Sequence, residues 1–91
     1  MPDVEVRQMP AFKKAYKRLH KGKKAEVDLA IREIIANPEI GEQKRGDLTG
    51  VYVHKFKVNK QETLLAYEWD AKLRLLLLLG SHENFYRDLK R

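Results

Sequence analysis

Residues 73–91 read LRLLLLLGSHENFYRDLKR, and the assignment of this stretch decides the architecture around it. Leu75 to Leu79 are five leucines in a row, flanked by Lys72 and Arg74 and stopped by Gly80. A membrane span needs about 20 apolar residues, so this run is too short to be one. It predicts a strand buried on both faces, the central strand of a small sheet. Leucine is a middling strand former, and periodicity alone leaves a helix open. Past Gly80, Ser81 can cap a short helix over residues 84–90. His82, Asn84, Phe85, Tyr86 and Arg87 gather hydrogen-bonding, aromatic and titratable groups just beyond the strand. A rigid element delivering such a cluster to the surface is a common way to hold functional side chains.

Working upstream, Val51–Val58 (VYVHKFKV) and Glu62–Trp69 (ETLLAYEW) read as two more strands. The turns Asn59-Lys60-Gln61 and Asp70-Ala71-Lys72 are short enough to force antiparallel neighbours. Residues 39–50 are polar, carry Gly41, Gly46 and Gly50, and read as a connecting loop. Before them, Phe12, Ala15, Tyr16 and Leu19 recur at helical spacing, with Gly22 expected to stop that helix. A second helix over residues 23–37 buries Val27, Ala30, Ile31, Ile34 and Ile35, and Asn37-Pro38 ends it. Val4 and Val6 alternate with Glu5 and Arg7 as a short edge or half-covered strand. The expected order is β-α-α-β-β-β-α. That is an α+β domain spanning residues 1–91, with a mainly antiparallel sheet, a helical hairpin on one face and a short C-terminal helix.

Ninety-one residues with a 43% hydrophobic fraction suffice for one folded domain. With no cysteine there is neither a disulfide framework nor thiolate chemistry, which fits a cytoplasmic location. No signal peptide or membrane segment is expected. The net charge of +6 is local. Residues 1–24 hold Arg7, Lys13, Lys14, Lys17, Arg18, Lys21, Lys23 and Lys24 against Asp3 and Glu5, while residues 25–91 balance. Such an excess suits a polyanionic or acidic partner, and equally a solvated helix face.

Alternation in Val51–Val58 puts Tyr52, His54, Phe56 and Val58 on one face and Val53, Lys55 and Lys57 on the other. Lys55 and Lys57 then project about 7 Å apart from the open face. They can grip adjacent phosphates or simply solvate a half-buried sheet; the second is the commoner arrangement. His20 is expected to be exposed among lysines, His54 to be structural on the inner face. His82 is the best placed of the three for acid/base work. If the segment is helical from His82 onward, Tyr86, four residues on, shares a helix face with it, and Phe85 points elsewhere as an anchor. The histidines and carboxylates lack the spacing of a metal site, and no glycine-rich phosphate loop is present, so no metal or cofactor is expected.

The element order, the stretch LTGVYVHKFKVNKQETLLAYEW and the ending LLLLLGSHENFYRDLKR resemble the RelE/ParE superfamily, small toxins of bacterial type II toxin–antitoxin modules. The likeness spans nearly the whole chain. It rests on Leu48-Thr49-Gly50, on Leu64–Tyr67 and on the apolar strand running into Gly80. RelE-like members cut messenger RNA on the ribosome; ParE-like members poison DNA gyrase.

The resemblance implies a catalytic set of Lys55, Lys57, His82 and Tyr86, with His54 and Glu62 as possible auxiliaries. The concentration of charge adds expected RNA contacts from Lys13, Lys14, Lys17, Arg18 and Lys21 on the hairpin, with Arg87 beyond them. The chain departs from arginine-rich members, having Leu64 near where they carry an arginine. The RelE-like reading is favoured, with a gyrase inhibitor or a non-catalytic RNA- or antitoxin-binding module as alternatives. The implied partners are the ribosome, mRNA and a separately encoded antitoxin, acidic and partly disordered. The antitoxin can cover Lys55, Lys57 and His82 directly or displace the helix over residues 84–90; displacement is favoured because a short terminal helix has few contacts.

Overall fold

The computed structural model describes residues 4–89, apart from the side chains of residues 82–84. In chain order the elements are β1 (Glu5–Gln8), α1 (Pro10–Lys17), α2 (Lys21–Ala36), β2 (Glu42–Gln43), β3 (Tyr52–Val58), β4 (Gln61–Trp69), β5 (Leu73–Ser81) and α3 (His82–Leu89). The strands form one sheet in the order β1-β5-β4-β3-β2. β1 runs parallel to β5, and every other pairing is antiparallel. The α+β class and the mainly antiparallel sheet are as the sequence predicts.

The β3–β4 hairpin turns on Asn59 and Lys60, at φ 50° and 68°. Two successive left-handed residues make the turn whose twist matches that of the strands. At the β4–β5 turn the Asp70 carboxylate accepts the Lys72 N–H at 2.7 Å. Pro10 opens α1 at a position where its missing N–H costs nothing. Gly22 does not stop the helix: it lies inside the first turn of α2. The break comes earlier, where Arg18 and Leu19 donate to Ala15 and Tyr16, tightening the last turn. His20 then goes extended and leads into α2 as an exposed residue. Of the expected apolar stripe on α2, Val27, Ala30 and Ile34 are buried, and Ile31 and Ile35 are half-buried.

The centre of the sheet is β4, not the leucine-rich β5. Leu64, Leu65, Ala66 and Tyr67 are all fully buried. Leu65 and Tyr67 face α1 and α2 with Phe12, Val27, Ile34, Leu76 and Leu79. Leu64 and Ala66 face the other way, with Val51, Val53 and Phe85. On β5, Ala66 pairs with Leu78 and Tyr67 with Leu76, leaving Leu77 as an extra residue. This bulge suspends strict alternation. Leu76 and Leu79 therefore reach the hairpin side while Leu77 and Leu78 both turn to the α3 side, where they stay half-buried. A run of leucines is what such a strand requires.

Residues 39–50, read as loop, contain β2, the 3-10 turn Gly46–Leu48 and most of a second, Pro38–Ile40. The sheet thus has five strands. This segment is clasped from below by Tyr67, whose hydroxyl donates to the Pro38 carbonyl at 2.6 Å and accepts the Gly41 N–H at 3.0 Å. A Cβ at Gly41 would stand 2.7 Å from that hydroxyl oxygen, so only glycine lets the chain approach so closely.

Arg74, which the sequence shows only as a flank of the leucine run, is 5% exposed. Its guanidinium donates to the carbonyls of Ile34 and Ile35, both at 3.1 Å, and to that of Asp70 at 2.6 Å. The last carbonyls of α2 lack partners within the helix, and a cation there also meets the negative end of the helix dipole. Arg74 thus fixes the hairpin to the sheet. On the opposite face α3 is held chiefly by Phe85, 3% exposed. No helix among the described residues is long and apolar enough to cross a membrane.

Candidate active site on the face beneath the C-terminal helix

Strand alternation places the cations of β3 as expected. Val53 is buried on the α3 face; Lys55 and Lys57, on the same side and nearer the hairpin turn, are exposed. Across the β3–β4 ladder Lys55 stands opposite Leu64 and Lys57 opposite Glu62, so Glu62 shares the face. α3 starts directly from β5 and brings Tyr86 to this side, half-buried against the second apolar cluster. Its ring meets that of Phe85 edge-on, at 5.4 Å and 89°. Arg87 is exposed on the same helix. His82 opens α3, but its side chain lies outside the described residues.

A further cation belongs here that the sequence reading left in a loop. β2 pairs with β3 through Glu42–Val53 and Gln43–Tyr52, and the next residue, Lys44, donates its backbone N–H to Val51 at 2.8 Å. The Lys44 ammonium lies 3.0 Å from Glu42 and 5.0 Å from the centre of the Tyr86 ring. Its pKa is raised, first by the hydrogen bond to Glu42 and, against the cost of burial, by the Tyr86 hydroxyl. Glu42 is correspondingly held below the usual carboxylate range, first by Lys44 and to a smaller extent by the charge of Lys55. Lys44, Lys55, Glu42 and Tyr86 are therefore one electrostatic neighbourhood. The signal in the sequence was weak: Glu42 and Lys44, two apart, would share a side only if the loop were extended.

The other expected residues fall elsewhere. His54 is buried on the hairpin side, stacked on Phe56 with ring centres 5.5 Å apart. Its Nε2 is without a hydrogen-bond partner and lies 3.9 Å from a Glu33 carboxylate oxygen. Burial lowers its pKa, with Glu33 opposing that more weakly. The sheet separates His54 from Lys55 and Lys57. Lys13, Lys14, Lys17, Arg18 and Lys21 are exposed on the hairpin, behind the sheet as seen from Lys55. A cleft of about 260 Å³ on that side is lined by Arg18, Lys23, Val27, Val58, Thr63 and Leu79 among others, and by none of Lys44, Lys55, Lys57 or Tyr86. No group of three metal-ligating side chains occurs among the described residues.

This arrangement of a five-stranded sheet, a hairpin behind it and a C-terminal helix in front has known relatives. A family model described as ParE-like toxin of type II bacterial toxin-antitoxin system matches residues 6–90. The chain belongs to that family of toxins. A comparison with curated proteins finds no match.

Among solved structures, the toxin resembles a chain of the RelBE2 toxin–antitoxin complex from Mycobacterium tuberculosis, at 19% identity and a TM-score of 0.73, covering 90% of this chain and 100% of that one. It also resembles a chain of the intact E. coli RelBE toxin–antitoxin complex, at 18% identity and a TM-score of 0.69, covering 88% and 98%. A third is the YoeB dimer from Staphylococcus aureus, at 19% identity and a TM-score of 0.70, covering 88% and 98%. At these identities the likeness is one of fold. It is the family match over residues 6–90 that bears out the toxin resemblance suggested by the sequence.

Proposed function

We propose that the toxin is an endoribonuclease that cuts messenger RNA on the ribosome, acting in the cytoplasm under the control of a separately encoded acidic antitoxin. The observation that carries this reading is the single accessible face on which Lys44, Lys55, Lys57 and Tyr86 come together. In the reaction the 2′-oxygen of a nucleotide attacks the adjacent phosphorus and the bond from phosphorus to the 5′-oxygen breaks. The products are a 2′,3′-cyclic phosphate and a 5′-hydroxyl. A base must take the 2′ proton, an acid must supply one to the leaving 5′-oxygen, and cations must stabilise charge on the non-bridging oxygens.

Lys55 and Lys57 suit the last task, being paired on one exposed face about 7 Å apart. Tyr86 suits proton donation or base stacking. His82 is assigned the acid/base role on its sequence position. Glu62, opposite Lys57, can steady that lysine between turnovers. Arg87 and the exposed hairpin cations Lys13, Lys14, Lys17, Arg18 and Lys21 would hold ribosomal RNA through its phosphates.

The test is cleavage of a defined mRNA on programmed ribosomes, mapped by primer extension. His82→Ala is expected to slow cleavage by about 10²–10⁴-fold, as loss of a positioned acid/base does. Lys55→Ala combined with Lys57→Ala should slow it by about 10²-fold or more, as loss of transition-state electrostatics does. Intact mRNA in the presence of wild-type toxin, together with inhibition of gyrase supercoiling, would replace this reading with the gyrase-directed one.

A further inference from the structure

The cations of the site are held differently. Lys55 and Lys57 are exposed, whereas the Lys44 side chain is only 19% exposed and the residue is fixed at three points, one through its backbone. Its backbone N–H is bound to Val51, its ammonium to Glu42 at 3.0 Å, and the same ammonium lies over the Tyr86 ring at 5.0 Å. A lysine ordinarily retains much rotamer freedom, and ordering it costs up to about 2 kcal/mol of entropy. Here a carboxylate and an aromatic face supply the compensation.

From the ring's side the enclosure is equally specific: Phe85 stands edge-on on one side and the ammonium lies over the ring. The support continues downward. Glu42 follows Gly41 directly and Lys44 lies three residues beyond it, and Gly41 is held by the buried Tyr67 hydroxyl.

We propose that Lys44 is a positioning residue, whose ammonium, steadied by Glu42, fixes the Tyr86 ring above the Lys55 face. For the cleavage proposed above, on which this role rests, Lys44 determines where the phenol meets the scissile phosphate. It need not touch RNA itself. Because Glu42 already occupies one side of the ammonium, Lys44 acts as a strut between β2 and α3, while Lys55 and Lys57 are left to meet phosphates.

Two measurements test this on the full chain. In the first, proton NMR of the Lys44 side chain should show methylene resonances next to the ammonium shifted upfield by the Tyr86 ring, and the shift should vanish in Tyr86→Leu. Unshifted resonances in the wild type would overturn the proposal. In the second, Lys44→Met keeps the stem but removes the charge, and Lys44→Arg restores a cation. Lys44→Met should lower kcat on programmed ribosomes by about 10–100-fold, as misplacement of a reacting group does, with KM nearly unchanged and Lys44→Arg recovering most of the loss. Wild-type kcat in Lys44→Met would also overturn it. Should the wild-type toxin leave mRNA intact, the cleavage reading fails by itself. The strut is then judged by amide exchange in α3, which must quicken in Lys44→Met but not in Lys44→Arg; unchanged exchange sinks it.

Discussion

The two faces of the sheet solve opposite problems. On the hairpin side two helices cover β3, β4 and β5, and Phe12, Ile34, Leu65, Tyr67 and Leu76 are sealed completely. Polar groups admitted there are fixed to backbone carbonyls, as with Arg74, or left without a hydrogen-bond partner, as with His54 Nε2. On the other side a single eight-residue helix covers only part of the sheet. Its apolar cluster gives way to Lys44, Lys55 and Lys57, and the pairing of Lys44 with Glu42 favours the charged form of both partners. One face is covered by both hairpin helices, and the other, with a smaller buried cluster, stays partly accessible. Adjacent residues of one strand, Leu64 and Leu65, belong to different tasks.

The sharpest way to break this contrast is to truncate one anchor on each side. Leu65→Ala should cost about 2–5 kcal/mol of global stability, read from denaturant unfolding, since the two helices cannot collapse freely into the void. Phe85→Ala should lower the global midpoint less, while amide exchange across α3 rises to that of an undocked segment. Equal global losses with α3 still protected would show that the two faces form one cooperative unit.

A smaller effect is expected at the clasp that links the faces. Tyr67→Phe leaves the Gly41 N–H and the Pro38 carbonyl without the hydroxyl, at about 1–3 kcal/mol for buried polar groups left unpaired. Calorimetry would measure the loss. If residues 41–44 are supported as described, the ring-current shift of Lys44 should weaken in the same variant.

The smallest effect is a pH dependence on the hairpin side. Burial holds the folded pKa of His54 below its ordinary 6.5. Below pH 6.5 the unfolded chain binds a proton that the folded chain resists, so His54's contribution is complete above 6.5 and declines as pH falls toward the folded value. His54→Phe should flatten that part of the stability profile. An unchanged slope between pH 7 and 5 would mean that His54 titrates alike in both states.

Much of the fold was legible because local pattern and tertiary environment agreed. Period-two alternation in VYVHKFKV placed Lys55 and Lys57 on the accessible face and His54 on the inner one, and the structure keeps both assignments. Helical spacing found Phe12, Val27, Ala30 and Ile34. The short turns at Asn59 and Asp70 dictated antiparallel neighbours. These signals lie within a few residues of one another, so short-range sterics and burial suffice to express them.

What tertiary structure decided involves partners distant in sequence. The composition of β5 suggested the central strand; the position went to β4, because β2 adds a further strand beyond β3. Gly22 looks like a helix stop, yet hydrogen bonding around Arg18 and Leu19 ends α1 first. The polar residues 39–50 carry no strand pattern. β2 exists there because Tyr67, 26 residues beyond Gly41, holds the chain against the edge of β3. The same long-range contact brings Lys44 to Tyr86, a pairing across 42 positions that periodicity cannot encode. Sequence alone settles which face each side chain takes where alternation is unbroken, as in β3; the β5 bulge, and which elements meet, depend on loop closures and buried hydrogen bonds that form only once the sheet has assembled.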